Sequence, residues 1–218
     1  MTESVSEIQE KILMQALPQA AQRGWIQSVL TLATEDAGYE REMAVAVFPE
    51  GIADLAAYFS DWTDQKMLDA LQDIDAEDLK IRARVAKGVM ARFRALEPHR
   101  DALKQAAKFW AVPHRSFRAK QLIWSTADHI WNWAGDTATD YNRYTKRGLL
   151  SGVIGATTLY WLSQNESDLA KVETFLKARI ENVLKIGQSI SKFKDMGDMV
   201  AKFPFKSFFD SRNGEPQK

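Results

Sequence analysis

Apolar residues recur at three- and four-residue steps along almost the whole chain, and no segment alternates convincingly with period two. Ile8, Ile12 and Ala16, with Leu13 and Leu17 beside them, predict a first amphipathic helix that Pro18 ends or kinks. Val29, Leu32 and Ala33 predict a short second helix closed by Gly38 in the usual place after a helix end. A short segment over 40–47 follows. Phe48-Pro49-Glu50-Gly51 then turns the chain into a longer helix carrying Ile52, Leu55, Phe59 and Trp62. Asp75 is placed to cap the next helix, with Glu77 and Asp78 in its favourable first turn, and Pro98 stops it. Further helices are expected over 99–110, 116–134, 140–162 and 167–193. The fold class read from this pattern is all-α. Its organisation is an N-terminal module over 1–60, a helical body over 61–193 and an amphipathic tail over 194–218.

The order of the first elements has its own meaning. A helix, Arg23-Gly24-Trp25, a short helix ending in Ala37-Gly38-Tyr39, another short helix and Phe48-Pro49 before a long fourth helix look like the N-terminal module of TetR-type regulators. In that module the third helix enters the major groove and needs donors for phosphates and base edges. Here it reads Glu40-Arg41-Glu42-Met43-Ala44-Val45-Ala46-Val47, with two acids, one base and an apolar turn. Carboxylates facing phosphate repel, so the module reads as a degenerate helix-turn-helix kept as scaffold. A ligand-responsive transcription regulator is the rival reading.

Composition adds bounds. Hydrophobic residues make up 45% of the 218, charged residues 27%, and 29 basic side chains balance 29 acidic ones. That is an ordinary globular balance, and no bulk field favours nucleic acid or an anionic surface. Cysteine is absent, which excludes disulfides, thiolate metal sites and cysteine nucleophiles. The start, Met1-Thr2-Glu3-Ser4-Val5-Ser6-Glu7, is acidic and has neither a signal h-region nor an Arg-rich transit pattern. The longest nearly apolar run, 149–162, falls short of the roughly 20 residues a spanning helix needs. His99, His114 and His129 lie far apart, and none follows a Glu at the spacing of a di-iron bundle. No Walker A loop, H-E-x-x-H, G-x-G-x-x-G or G-x-S-x-G motif occurs. No catalytic group, metal site or cofactor site is expected.

The most informative stretch runs Trp131-Asn132-Trp133-Ala134-Gly135-Asp136-Thr137-Ala138-Thr139-Asp140-Tyr141-Asn142-Arg143-Tyr144-Thr145-Lys146-Arg147-Gly148, directly before an apolar helical segment. Over 116–183 the chain resembles the ubiquinone-biosynthesis accessory family, the ninth of the Coq proteins. That resemblance implies a TetR-like fold, a non-catalytic isoprenoid or phospholipid binder, a homodimer, a membrane-touching last helix and docking to a ubiquinone-pathway hydroxylase. Combined with the untagged start, it implies a bacterial cytoplasm and a peripheral place on the inner membrane.

Asp140, Arg143, Tyr144 and Arg147 fall at i, i+3, i+4 and i+7 of one helix, and Asp128 sits on the helix before it. Two readings stand side by side: a salt-bridge ladder beside a capped turn, or a docking patch of the Tyr and Arg types that dominate interfaces. The resemblance favours docking and assigns Asp128, Asp140, Tyr144 and Arg147 to it. Arg143 departs from the family, which commonly has tryptophan there.

Gly148, Gly152, Gly155 and Ala156 lie on one stripe of the same helix, where each glycine costs up to about 1 kcal/mol. Close packing explains them, either across a dimer seam or within the chain. Trp124 and Trp131 recur on the preceding helix. With Val153, Leu159 and Leu176, and with Ile180, Val183 and Leu184, they are candidate walls for a lipid pocket or members of an ordinary core. In the tail, Ile190, Phe193, Met196, Met199, Val200 and Phe203 repeat at helical spacing among lysines. Such a segment suits a bilayer interface, while Asp195 and Asp198 weaken its attraction to anionic lipid. A helix docked on its own domain is the alternative. Residues from Asp210 onward read as disordered.

Overall fold

The structure is a computed structural model that describes residues 3–76, 78–137, 139 and 141–194, and of residues 141, 142 and 184–194 only the backbone. Asp140, Met196, Met199, Val200 and Phe203 lie outside the described residues, as do the side chains of Leu184, Ile190 and Phe193. Among the described residues the regular structure is helical, with no strand: α1 (Val5–Arg23), α2 (Gln27–Asp36), α3 (Arg41–Val47), α4 (Ile52–Leu71), α5 (Ile81–Leu96), α6 (Arg100–Trp110), α7 (Ser116–Trp133), α8 (Tyr141–Ser163) and α9 (Leu169–Lys194). Two 3₁₀ turns, Glu97–His99 and Pro113–Arg115, flank α6.

The helix starts and stops follow local chemistry. Ser4 and Glu7 form a reciprocal capping box at the head of α1, satisfying two backbone donors that the helix leaves over. Of the two outcomes expected at Pro18, an end or a kink, the end does not occur: α1 continues to Arg23. Leu17 and Ala20, either side of it, are fully packed while Pro18 is exposed, so burial of the apolar face outweighs the roughly 3 kcal/mol proline cost. Gly24 takes φ +82°, which stops the helix where a side chain would be strained. Asp75 does not head α5, which begins at Ile81 with no acid in its first turn. Instead Leu79 closes a turn onto Ala76, and Arg84 Nε holds the Leu79 carbonyl at 2.8 Å, fixing the chain outside the helix.

The chain forms two compact units, Met1–Gln72 with Ala91–Thr126, and Asp73–Met90 with Ala127–Lys218. Residue 60 lies inside α4, and α6 packs on α1 within the first unit.

In the first unit Ile12, Leu13, Leu30, Leu55 and Phe48 are buried, Trp25 stacks on Phe59 at 5.5 Å, and its indole donates to the Ala102 carbonyl at 3.0 Å. A buried ion pair joins Arg92 to Asp64 at 2.9 Å, with Thr126 Oγ1 donating to Asp64 at 2.8 Å and Arg92 donating to Ser60 at 2.8 Å. The exposed face of α3 carries Glu42, Val45 and Ala46, while Arg41 is paired with Glu35.

In the second unit Val89, Ile130, Trp161, Val172 and Leu176 are fully buried. Gly88 of α5 lies against Ile130, where a Cβ would come within 2.9 Å of Cγ2. Among the described residues no single helix is long and apolar enough to cross a membrane.

Candidate functional site

The site lies in the second unit, where the end of α7, the loop behind it and the first turns of α8 meet. Arg147 is its hub. Its side chain is only 2% exposed and binds Asp128 through Nε, Asp136 Oδ2 at 2.9 Å and Asn132 Oδ1 at 3.0 Å. Lys146, also buried, donates to Asp136 Oδ1 at 2.7 Å and sits 5.5 Å from the centre of the Trp131 ring. Trp131 in turn donates its indole N–H to the Lys146 carbonyl at 3.1 Å. Asn132 and Arg143 complete the shell of Asp128 at 3.0 and 3.3 Å.

The arrangement follows from helical register. Asp128 and Asn132 share a face of α7 at i and i+4, and Gly135, at φ +84°, turns the chain so that Asp136 faces back toward α8. Burial pushes the Asp128 carboxyl upward, but the hydrogen bond and charge of Arg147, helped by Asn132 and Arg143, outweigh it and hold its pKa below the usual carboxylate range.

Arg147 is therefore not part of the surface stripe the spacing suggested. It faces inward and ties α8 to α7, because two carboxylates compensate its buried charge. Tyr144, 62% exposed, and Arg143 remain on the surface. Asp136, Asn132 and Lys146 complete the cluster and were not singled out in the sequence, since long-range partners across a loop leave no periodic signal.

A small apolar cavity of about 30 Å³ opens beside this cluster. Of the candidate wall residues, Trp131, Val153, Ile180 and Val183 line this cavity, together with Val85, Leu149 and Leu150 and one cation, Arg82. Leu176 is buried in the core instead. Trp124 and Leu159 are no part of the lining: they are 36% and 67% exposed. The small-residue stripe also faces outward. Gly148, Gly152 and Ala156 are exposed, and among the described residues a Cβ added at Gly152 or Gly155 would meet nothing within 4 Å. No group of three or more His, Cys, Asp or Glu able to hold a metal is found among the described residues.

The COQ9 family model matches residues 118–187, which span the ion cluster and most of the cavity wall. Over these residues the chain is similar to the COQ9 family. Its similarity to COQ9 proteins extends over most of its length: 25% identity over 207 residues to "Ubiquinone biosynthesis protein COQ9, mitochondrial" of Bos taurus, covering 92% of this chain and 65% of that one. The Drosophila melanogaster protein of the same name is 26% identical over 218 residues, 96% of this chain and 65% of that one. The chain thus spans just under two thirds of the length of these relatives. Among solved structures, a TetR transcriptional regulator from Nitrosomonas europaea superposes with a TM-score of 0.65 at 18% identity, over 80% of this chain and 97% of that one. The COQ9-like region here is therefore set in a TetR-like, all-α fold.

Proposed function

We propose that this protein is a non-catalytic accessory of ubiquinone biosynthesis that binds an isoprenoid lipid and presents it to a pathway hydroxylase at a membrane surface. The observation that carries the reading is one turn of α8. Of its inward residues, Lys146 accepts the Trp131 indole N–H at the wall of the apolar cavity and Arg147 ties the same turn to Asp128, while its outward residues, Arg143 and Tyr144, stand on the surface. Ligand wall and docking surface are thereby held by the same few residues. The names of its COQ9 relatives supply the pathway.

The cavity is far smaller than the roughly 300 Å³ or more of a ligand site, so lipid uptake requires the unit to open. Ile180 and Val183 are the wall residues nearest the end of α9, and movement of that segment is the simplest way to admit a chain. A polyprenyl tail leaves a bilayer at about 0.8 kcal/mol per CH₂, a cost that an apolar wall lowers. The exposed glycine stripe of α8 serves as the homodimer seam, since closely approaching backbones need small residues. The tail from Ile190 to Phe203 supplies membrane contact.

The test is binding of the purified chain to the pathway hydroxylase by interferometry, with Tyr144→Ala as the variant. Docking through this surface predicts at least a tenfold loss, about 1.4 kcal/mol, with thermal stability unchanged. Full binding by the variant would refute the docking assignment.

A further inference from the structure

Between Asp101 and Asp128 the chain has no acidic residue but carries Lys104, Lys108, Arg115, Arg118 and Lys120, in a protein whose overall charge is zero. This stretch forms the corner from α6 through the Pro113–Arg115 turn into α7, all within the first unit up to Thr126. Arg118 is neutralised by Glu50 at 2.7 Å and Asp54 at 2.6 Å. Arg115 lies 3.8 Å over the Phe109 ring. Lys104, Lys108 and Lys120 are exposed and pair with no carboxylate among the described residues.

The same corner exposes apolar side chains among the described residues: Phe117 is 72% exposed, and Val112 and Trp124 are each 36% exposed. Phe117, Lys120, Gln121 and Trp124 fall at i, i+3, i+4 and i+7, one face of α7.

We propose that this corner docks on an anionic lipid bilayer. Phe117 and Val112 enter the headgroup–acyl boundary, and the unpaired lysines reach the lipid phosphates. Charge complementarity chooses the occupant: a local surplus of unpaired cations around protruding apolar groups suits a surface that is negative outside and apolar beneath. The contact uses residues of the first unit and does not depend on lipid being carried inside the second.

The absence of cysteine makes the test local. Phe117→Cys in the full chain, labelled with a polarity-sensitive fluorophore, is mixed with vesicles of equal parts phosphatidylcholine and phosphatidylglycerol. The expected result is a blue-shifted, brighter emission that high salt reverses and that phosphatidylcholine vesicles do not produce. Lys108→Glu with Lys120→Glu should weaken vesicle binding by roughly 25-fold or more, at about fivefold (~1 kcal/mol) per cation removed. An unchanged label spectrum on chain that co-floats with vesicles would overturn the proposal. An equal response to neutral vesicles would refute its electrostatic basis. Salt-sensitive binding to an oligonucleotide with no response to vesicles would assign the surface to nucleic acid instead.

Discussion

Replacing Arg147 with alanine removes the cation that holds α7 and α8 together. Breaking a buried pair by deleting one partner costs about 3–5 kcal/mol, because the other charge is left without compensation. Two contacts soften the loss here: Asp136 keeps Lys146 at 2.7 Å, and Asp128 keeps Arg143 at 3.3 Å. The lower end, about 3 kcal/mol, is therefore expected. For a chain of 218 residues each kcal/mol shifts the midpoint by about 2–4 °C, giving a fall of roughly 6–12 °C. Thermal unfolding followed by circular dichroism measures it, with Arg143→Ala as the comparison. Arg143 is 45% exposed, and its loss should cost no more than about 1 kcal/mol. If Arg147→Ala lowers the midpoint by less than about 2 °C, the hub assignment is wrong. The contrast also shows why Arg147 is a poor probe of docking: its loss weakens the scaffold that presents Tyr144.

Other outcomes follow from the same geometry. The Asp128 pKa is held below the unfolded value, so its contribution to stability is complete above the ordinary carboxylate range and is lost as pH falls through the lowered value; urea titrations of wild type and Asp128→Asn should converge only in strong acid. Gly88→Ala drives a methyl to 2.9 Å from Ile130 and should destabilise by about 1–3 kcal/mol in the same urea assay, where a neutral result would mean the contact relaxes freely. Gly152→Trp should leave the fold intact, because its Cβ faces open space, but convert a dimer to a monomer in sedimentation velocity; a dimer that persists places the seam elsewhere. Since the exposed face of α3 presents Glu42, Val45 and Ala46, the chain should show no salt-dependent duplex binding by fluorescence anisotropy, and such binding would favour the regulator reading.

The helical architecture was legible because period-3.6 burial leaves a direct trace. The ends expected for α6 to α9 differ from those observed by no more than about two residues, within ordinary boundary scatter. Pro18 was read as ending or kinking the first helix; it does not end it, because Ala16, Leu17 and Ala20 anchor the helix on both sides. Asp75 looked like a cap, yet the Arg84 bonds to Leu79 and Ala134 hold the preceding residues in a turn. At the site, spacing correctly grouped Arg143, Tyr144 and Arg147 on one helix but could not say which way Arg147 faced. Its direction is set by Asp128 and Asp136, which are 19 and 11 residues away along the chain. Wall and core residues were inseparable for a similar reason: Leu176 and Ile180 share a pattern, and only packing puts one in the core and the other at the cavity.

The central claim, that the COQ9-like region holds a lipid beside Trp131, is tested most directly by native mass spectrometry of the purified chain, followed by organic extraction and lipid identification. The account predicts a co-purifying isoprenoid or phospholipid, up to one per subunit, that Val153→Trp displaces by filling the cavity. A wild-type chain that remains lipid-free, even after incubation with polyprenyl lipid in detergent, would contradict it.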